Sequence, residues 1–139
     1  MNKTILIIGI FVLFSFACKK NEYVPGSSIA GIRASINKIL VSPLAFDGAV
    51  VVVEGIAKDA EEKYGEYENS RGLSFKLTDL YGNYININAP SGWDIVDKDY
   101  VILGGKYDRK SNSINAEQLE VTIYDKDETK KRLNPDPLQ

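Results

Sequence analysis

Apolar and polar residues alternate in steps of two through the middle of the chain. Leu73, Phe75 and Leu77 interleave with Ser74, Lys76 and Thr78, and after Tyr81-Gly82-Asn83 the alternation resumes with Ile85 and Ile87 between Tyr84, Asn86 and Asn88. A period of two sends successive side chains to opposite faces, so these runs predict two strands joined by a tight turn, with one face buried and one wet. Residues 49–58 are Val-rich and bounded by Asp47-Gly48; they read as an earlier strand, with Gly55 marking a bulge. Residues 100–107 read as a fourth strand bent at Gly104-Gly105, followed by a polar turn over 108–113. In a fifth strand Glu117, Leu119, Val121 and Ile123 share a face opposite Gln118, Glu120 and Thr122. Residues 89–99 hold Pro90, Gly92 and Trp93 and leave room for little more than one turn around Ile95 and Val96. Trp93 is expected there as an apolar lid on the barrel bottom.

A different period precedes the strands. Ile29, Ile32, Ile36 and Ile39 recur three or four apart, with Ser27 or Ser28 placed to cap, which predicts a short amphipathic helix packed on a barrel end. Ser42-Pro43 ends it, because the residue before proline disfavours the α region. The expected architecture is all-β: a five-stranded, partly open barrel preceded by a short N-terminal amphipathic helix.

The first eighteen residues follow neither pattern. Lys3 precedes an apolar run over 5–16 interrupted only by Gly9 and Ser15. A helix crossing the hydrocarbon core needs about 20 residues, so this run has the length of a cleaved export signal. It ends in Ser15-Phe16-Ala17-Cys18, which resembles the lipobox of bacterial lipoproteins, with Phe16 and Ser15 departing from the commonest form. The resemblance implies that Cys18 becomes a lipidated N-terminus that holds the chain at a membrane of the cell envelope, since each buried CH₂ contributes about 0.8 kcal/mol and several acyl chains add up. Four segments are thus expected: a signal over 1–17, a tether over 18–28, a barrel domain over 29–124 and a flexible, charged, proline-bearing tail over 125–139.

Composition narrows the chemistry. The chain has no histidine and one cysteine, so it lacks the commonest neutral-pH base, a Cys/His zinc set and an internal disulfide. No nucleophile elbow, phosphate loop or dinucleotide fingerprint is present. The acid pairs Glu61-Glu62 and Asp97/Asp99 lack EF-hand spacing and read as solvated surface. We therefore expect neither an enzyme nor a cofactor. The formal charge is −2; removing residues 1–17 takes away only Lys3 and leaves 16 Lys and Arg against 19 Asp and Glu, or −3. Such a balance offers no long-range attraction to a polyanion.

The wording of three segments adds a family likeness. Phe46-Asp47-Gly48 running into Val50–Val53 and Glu54-Gly55, then Leu73 to Asp79, then Asp99 to Tyr107, together resemble small exported OB-fold domains of the nucleic-acid-binding-like group. There is also a distant likeness to the haem chaperone of cytochrome c maturation, whose haem-attaching histidine has no counterpart here. The likeness covers residues 31–123. OB barrels bind on the outer face of their second and third strands, flanked by two loops. That places candidate contacts at Lys76, Thr78, Tyr84 and Asn86 on the strands, Tyr64, Tyr67 and Arg71 at the first loop, and Lys106, Tyr107, Arg109 and Lys110 at the second. The ligand expected for an envelope adaptor is a protein, peptide or glycan; a single strand of nucleic acid is the alternative.

Overall fold

A computed structural model describes residues 25–64, 71–90, 92–122 and 126–133. Its elements in chain order are β1 (Ile32–Arg33), α1 (Ile36–Val41), α2 (Pro43–Phe46), β2 (Val50–Tyr64), β3 (Arg71–Thr78), β4 (Tyr84–Pro90), β5 (Tyr100–Asp108), β6 (Ser113–Thr122) and α3 (Lys126–Leu133). The sheet order is β1-β2-β3-β4-β6-β5, and pairing of β2 with β5 closes it into a barrel. The five predicted strands are present, together with β1, a two-residue parallel addition to β2.

β2 serves both sides of the barrel. Its first half, Val50 to Ile56, pairs with β5, and its second half, Ile56 to Tyr64, pairs with β3. The transfer falls beside Gly55, where a Cβ would lie 2.6 Å from the Thr78 carbonyl oxygen. The predicted bulge is not at Gly55. It lies between Lys58 and Glu61, where β2 carries one residue more than β3 and Asp59 takes a positive φ of 54°. Gly55 supplies close approach, and Asp59, one of the side chains that tolerates the left-handed region, supplies the bend.

The interior holds Val51, Val53, Leu73, Phe75, Leu77, Ile85, Ile87, Val101, Leu103 and Ile114. Alternation along β3 and β4 is as predicted: Phe75 faces Ile87, Leu77 faces Ile85, and the intervening residues point out. Ile36 and Ile39 of α1 and Phe46 of α2 plug one barrel end, and Ile95 and the partly buried Trp93 pack against the same core.

Two predicted elements differ. The helix does not begin at Ile29: Gly31 sits at φ 142°, Ile32 pairs with β2, and α1 starts only after Ser35, whose side chain accepts from Lys38 N at 3.1 Å. A helix cannot pass through that glycine, so Ile36 and Ile39 keep the apolar face while Ile32 is exposed. In β6, one extra residue at Glu117 shifts the register against Gly104 and Gly105. Ile114 and Ala116 therefore face inward before the bulge and Leu119 after it, while Glu117 is exposed. The predicted single face through Glu117 is corrected accordingly.

The tail differs as well. Lys126–Leu133 is helical, and it docks on the outside of the barrel instead of trailing free. Val52, Tyr100 and Ile102 form a second apolar cluster on the outer side of β2 and β5, covered by Ile29 and Leu133. Arg132 is held there by Glu54, through Nε at 3.2 Å and Nη2 at 2.6 Å. The charged composition of 126–133 reads as a solvated segment, yet Leu133 and Arg132 both reach the barrel wall. The signal and Cys18, most of the tether, and residues 134–139 of the tail lie outside the described residues.

Candidate functional site

The outer face of β3 and β4 follows from their alternation. Filling the barrel with Phe75, Leu77, Ile85 and Ile87 obliges Lys76, Thr78, Tyr84 and Asn86 to take the other side. Tyr84 is 42% exposed, and the Lys76 ammonium lies over its ring at 5.0 Å from the centroid. That is cation–π range, so the two side chains orient one another. Lys76 also pairs with Asp59 at 3.5 Å, which the bulge in β2 brings over β3. Thr78 is turned to structural use: its Oγ1 donates to the Ile56 carbonyl at 3.1 Å.

Amides extend this face. Asn86 is half-buried and Asn88 exposed on β4; Asn88 Nδ2 donates to Asn115 Oδ1 of β6 at 3.3 Å across the parallel β4–β6 pairing. The row Ser74, Asn88, Asn115, Lys106 follows register across four strands. The even spacing of Asn88 from Tyr84 and Asn86 puts it on the same face, whereas Asn115 arrives there only through the pairing of β6 with β4.

The turn from β5 to β6 is fastened to this face by Asn112. With φ at 46°, Asn112 uses its carbonyl to accept from Asn86 N at 3.0 Å and its Nδ2 to donate to the Tyr84 carbonyl at 3.2 Å. Its Oδ1 accepts from the Tyr107 hydroxyl at 3.1 Å. The turn residues Arg109 and Lys110 are thereby set beside the start of β4. Arg109 is exposed and tied to Asp47, with its backbone N–H donating to Asp47 Oδ1 at 3.0 Å and its side chain 3.9 Å from Oδ2. Lys106 and Lys110 are exposed, and no carboxylate of the described residues pairs with either.

Tyr107 does not belong to the exposed set. It is 2% exposed and packs in the barrel core. Two-residue alternation from Val101 and Leu103 turns it inward and leaves Lys106 outside, so its place beside the loop is corrected. Burial, reinforced by the carboxylate of Asp47, raises its hydroxyl above the ordinary tyrosine pKa. Tyr64 and Arg71 are cross-strand partners at the far end of β2 and β3. Tyr67 lies outside the described residues. No group of three potential metal-ligating side chains forms among the described residues.

No family model matches the chain, and no curated protein matches it. Among solved structures, a crystal structure of yeast Stn1 and Ten1 matches with a TM-score of 0.57 and 14% identity, over 80% of this chain and 80% of that one. The barrel is OB-like. In OB terms, β2 to β6 are the five barrel strands, β3 and β4 take the places of the second and third, and the turn over 109–112 joins the fourth to the fifth. The structure thus brings Lys76, Tyr84 and Asn86 together on the OB face, with Arg109 and Lys110 at its border.

Proposed function

We propose that this chain is a binding module, not an enzyme, and that the outer face of β3 and β4 takes a single strand of nucleic acid. The observation that carries this reading is the exposed Tyr84 ring with Lys76 over it and Asn86 and Asn88 beside it. OB barrels hold oligonucleotides on this face, and an exposed aromatic supplies about 1–3 kcal/mol per stacked base with little regard to sequence. The amides supply hydrogen bonds to base edges or sugar, and Lys106, Arg109 and Lys110 supply cations toward the backbone. Because Lys76 and Arg109 already have carboxylate partners and the chain is acidic overall, binding is expected to be modest and to rest on stacking more than on charge. Filter binding of a single-stranded oligonucleotide at low salt tests it. A Kd tighter than about 10⁻⁴ M, weakened at least about fivefold by Tyr84→Ala, supports the reading; weaker binding retires it.

A second reading is favoured by the apolar run over 5–16 that ends in Ser15-Phe16-Ala17-Cys18. In it, Cys18 is lipidated, the module is tethered in a bacterial cell envelope, and the same face takes a protein, peptide or glycan as an adaptor. Palmitate labelling with Cys18→Ala tests the tether: loss of label and of membrane fractionation supports it, and unchanged label removes it.

A further inference from the structure

A cleft of about 840 Å³ opens at the end of the barrel bounded by α1, the β3–β4 turn and α3. Its volume lies within the range of small-molecule sites. Ala34 and Leu133, both half-buried, and Tyr81, 63% exposed at the β3–β4 turn, give it apolar surface, with the buried Ile36, Val52 and Ile102 closed beneath them. The candidate face built on Tyr84 does not use it.

The charges lining this cleft are unequally committed. Glu54 accepts both guanidinium bonds of Arg132. Asp79 is consumed by its own turn, accepting from Tyr81 N at 2.8 Å, Asn83 N at 3.0 Å and Asn83 Nδ2 at 2.8 Å. Neither carboxylate is available to the two remaining cations. Arg33 gives one nitrogen to the Pro25 carbonyl at 3.0 Å and keeps its other donors, and among the described residues no carboxylate pairs with Arg33 or Lys38. Both line the cleft, with Asn37 alongside Lys38. Two uncommitted cations above an apolar floor, in a chain whose overall charge is negative, select for a ligand that brings a negative group on an apolar body.

We propose that this cleft is a second binding site, taking a small organic anion whose carboxylate or phosphate is held by Arg33 and Lys38 while its apolar part lies against Ala34, Leu133 and the Tyr81 ring. The planar fork of Arg33 suits either oxyanion, and Lys38 adds a point charge. Because Leu133 and Arg132 form part of the lining, occupancy bridges α1 to α3 and holds the C-terminal helix in place. The site is independent of the oligonucleotide reading, which rests on other residues.

Amide NMR of the full chain, titrated with 3-phenylpropanoate, its neutral amide 3-phenylpropanamide, and inorganic phosphate, tests the proposal. Saturable shifts are expected at Arg33, Lys38 and Asn83 with the carboxylate or with phosphate, and whichever saturates identifies the oxyanion. The neutral amide is expected to bind at least tenfold more weakly than the acid. Arg33→Ala combined with Lys38→Ala is expected to weaken anion binding at least tenfold, with unshifted β3–β4 amides showing that the barrel is intact. Tyr84→Ala is expected to leave this titration unchanged while impairing oligonucleotide binding, so the two sites fail or stand separately. Absence of saturation by either anion, equal binding of acid and amide, or indifference to the double substitution overturns the proposal.

Discussion

Gly55 faces the carbonyl oxygen of Thr78 so closely that a Cβ would stand 2.6 Å from it and 3.0 Å from Leu77 Cγ. This is where β2 passes from β5 to β3, so the barrel's closure depends on a missing side chain. Gly55→Ala is predicted to destabilise the domain by about 2–3 kcal/mol, the cost of forcing backbone apart in a packed interior. Gly72→Ala is the control: its nearest contact is ordinary, at 3.4 Å from the Ala89 carbonyl, and the change is expected to stay within about 0.5 kcal/mol. Urea unfolding of both variants measures the difference.

Arg132 and Leu133 contribute to the docking of α3. Arg132→Ala removes both bonds to Glu54, whose side chain is 28% exposed, and leaves that carboxylate beside the hydroxyl of Tyr100. A loss of about 1–2 kcal/mol is expected, below the full value of a buried charged bond because water reaches the pair. Hydrogen exchange over 126–133 checks it: protection there should fall in the variant while β3 and β4 keep theirs.

Alkaline pH should loosen the same barrel. Burial, then the charge of Glu54, raises the Tyr100 hydroxyl well above 10, and burial, then Asp47, raises Tyr107. A raised pKa means that the folded state holds its proton more tightly than the unfolded chain. The stabilisation is complete below pH 10, and it declines as pH rises above 10 toward the folded values. Unfolding free energy measured from pH 8 to 12 should be flat at first and then fall. Tyr100→Phe should shallow the alkaline slope, and a slope unchanged by that substitution contradicts the assignment.

The strands were the legible part of this chain, for a physical reason. The alternation over 73–88 is enforced by a core that must be filled from one side, so Lys76, Tyr84 and Asn86 could be assigned to the wet face without coordinates. Tyr107 obeys the same rule, counted from Val101 and Leu103: it turns inward even though a polar turn follows it. What pattern alone could not supply were the interruptions. The positive φ at Gly31 divides an apparent isoleucine helix, and the extra residues near Asp59 and at Glu117 depend on which strand lies alongside. Asp59, Asp47 and Asn112 carry no such signal, because their roles arise from contacts with residues far along the chain, such as Asp47 with Arg109. The docking of α3 belongs with them, since a largely charged helix carries little periodic signal.

Asn112 is predicted to govern the border of the proposed recognition face. Asn112→Ala removes its side-chain bonds to the Tyr84 carbonyl and the Tyr107 hydroxyl, and places alanine at a φ of 46°. A cost of about 2–3 kcal/mol is expected from a buried hydroxyl left without its partner together with left-handed strain. Asn112→Gly relieves the strain but not the lost bonds, so it should recover about 1 kcal/mol of that loss, as read from thermal unfolding.

Site-specific photocrosslinking tests the proposed recognition face most directly. Benzophenone side chains are placed singly at Tyr84, at Asn88 and, as a remote control, at Glu128 on α3, and the full chain is irradiated with a single-stranded oligonucleotide and then in intact envelopes. The account predicts adducts from positions 84 and 88 and little from 128. Adducts at equal yield from 128, or none from 84 and 88 with either source of ligand, would contradict it.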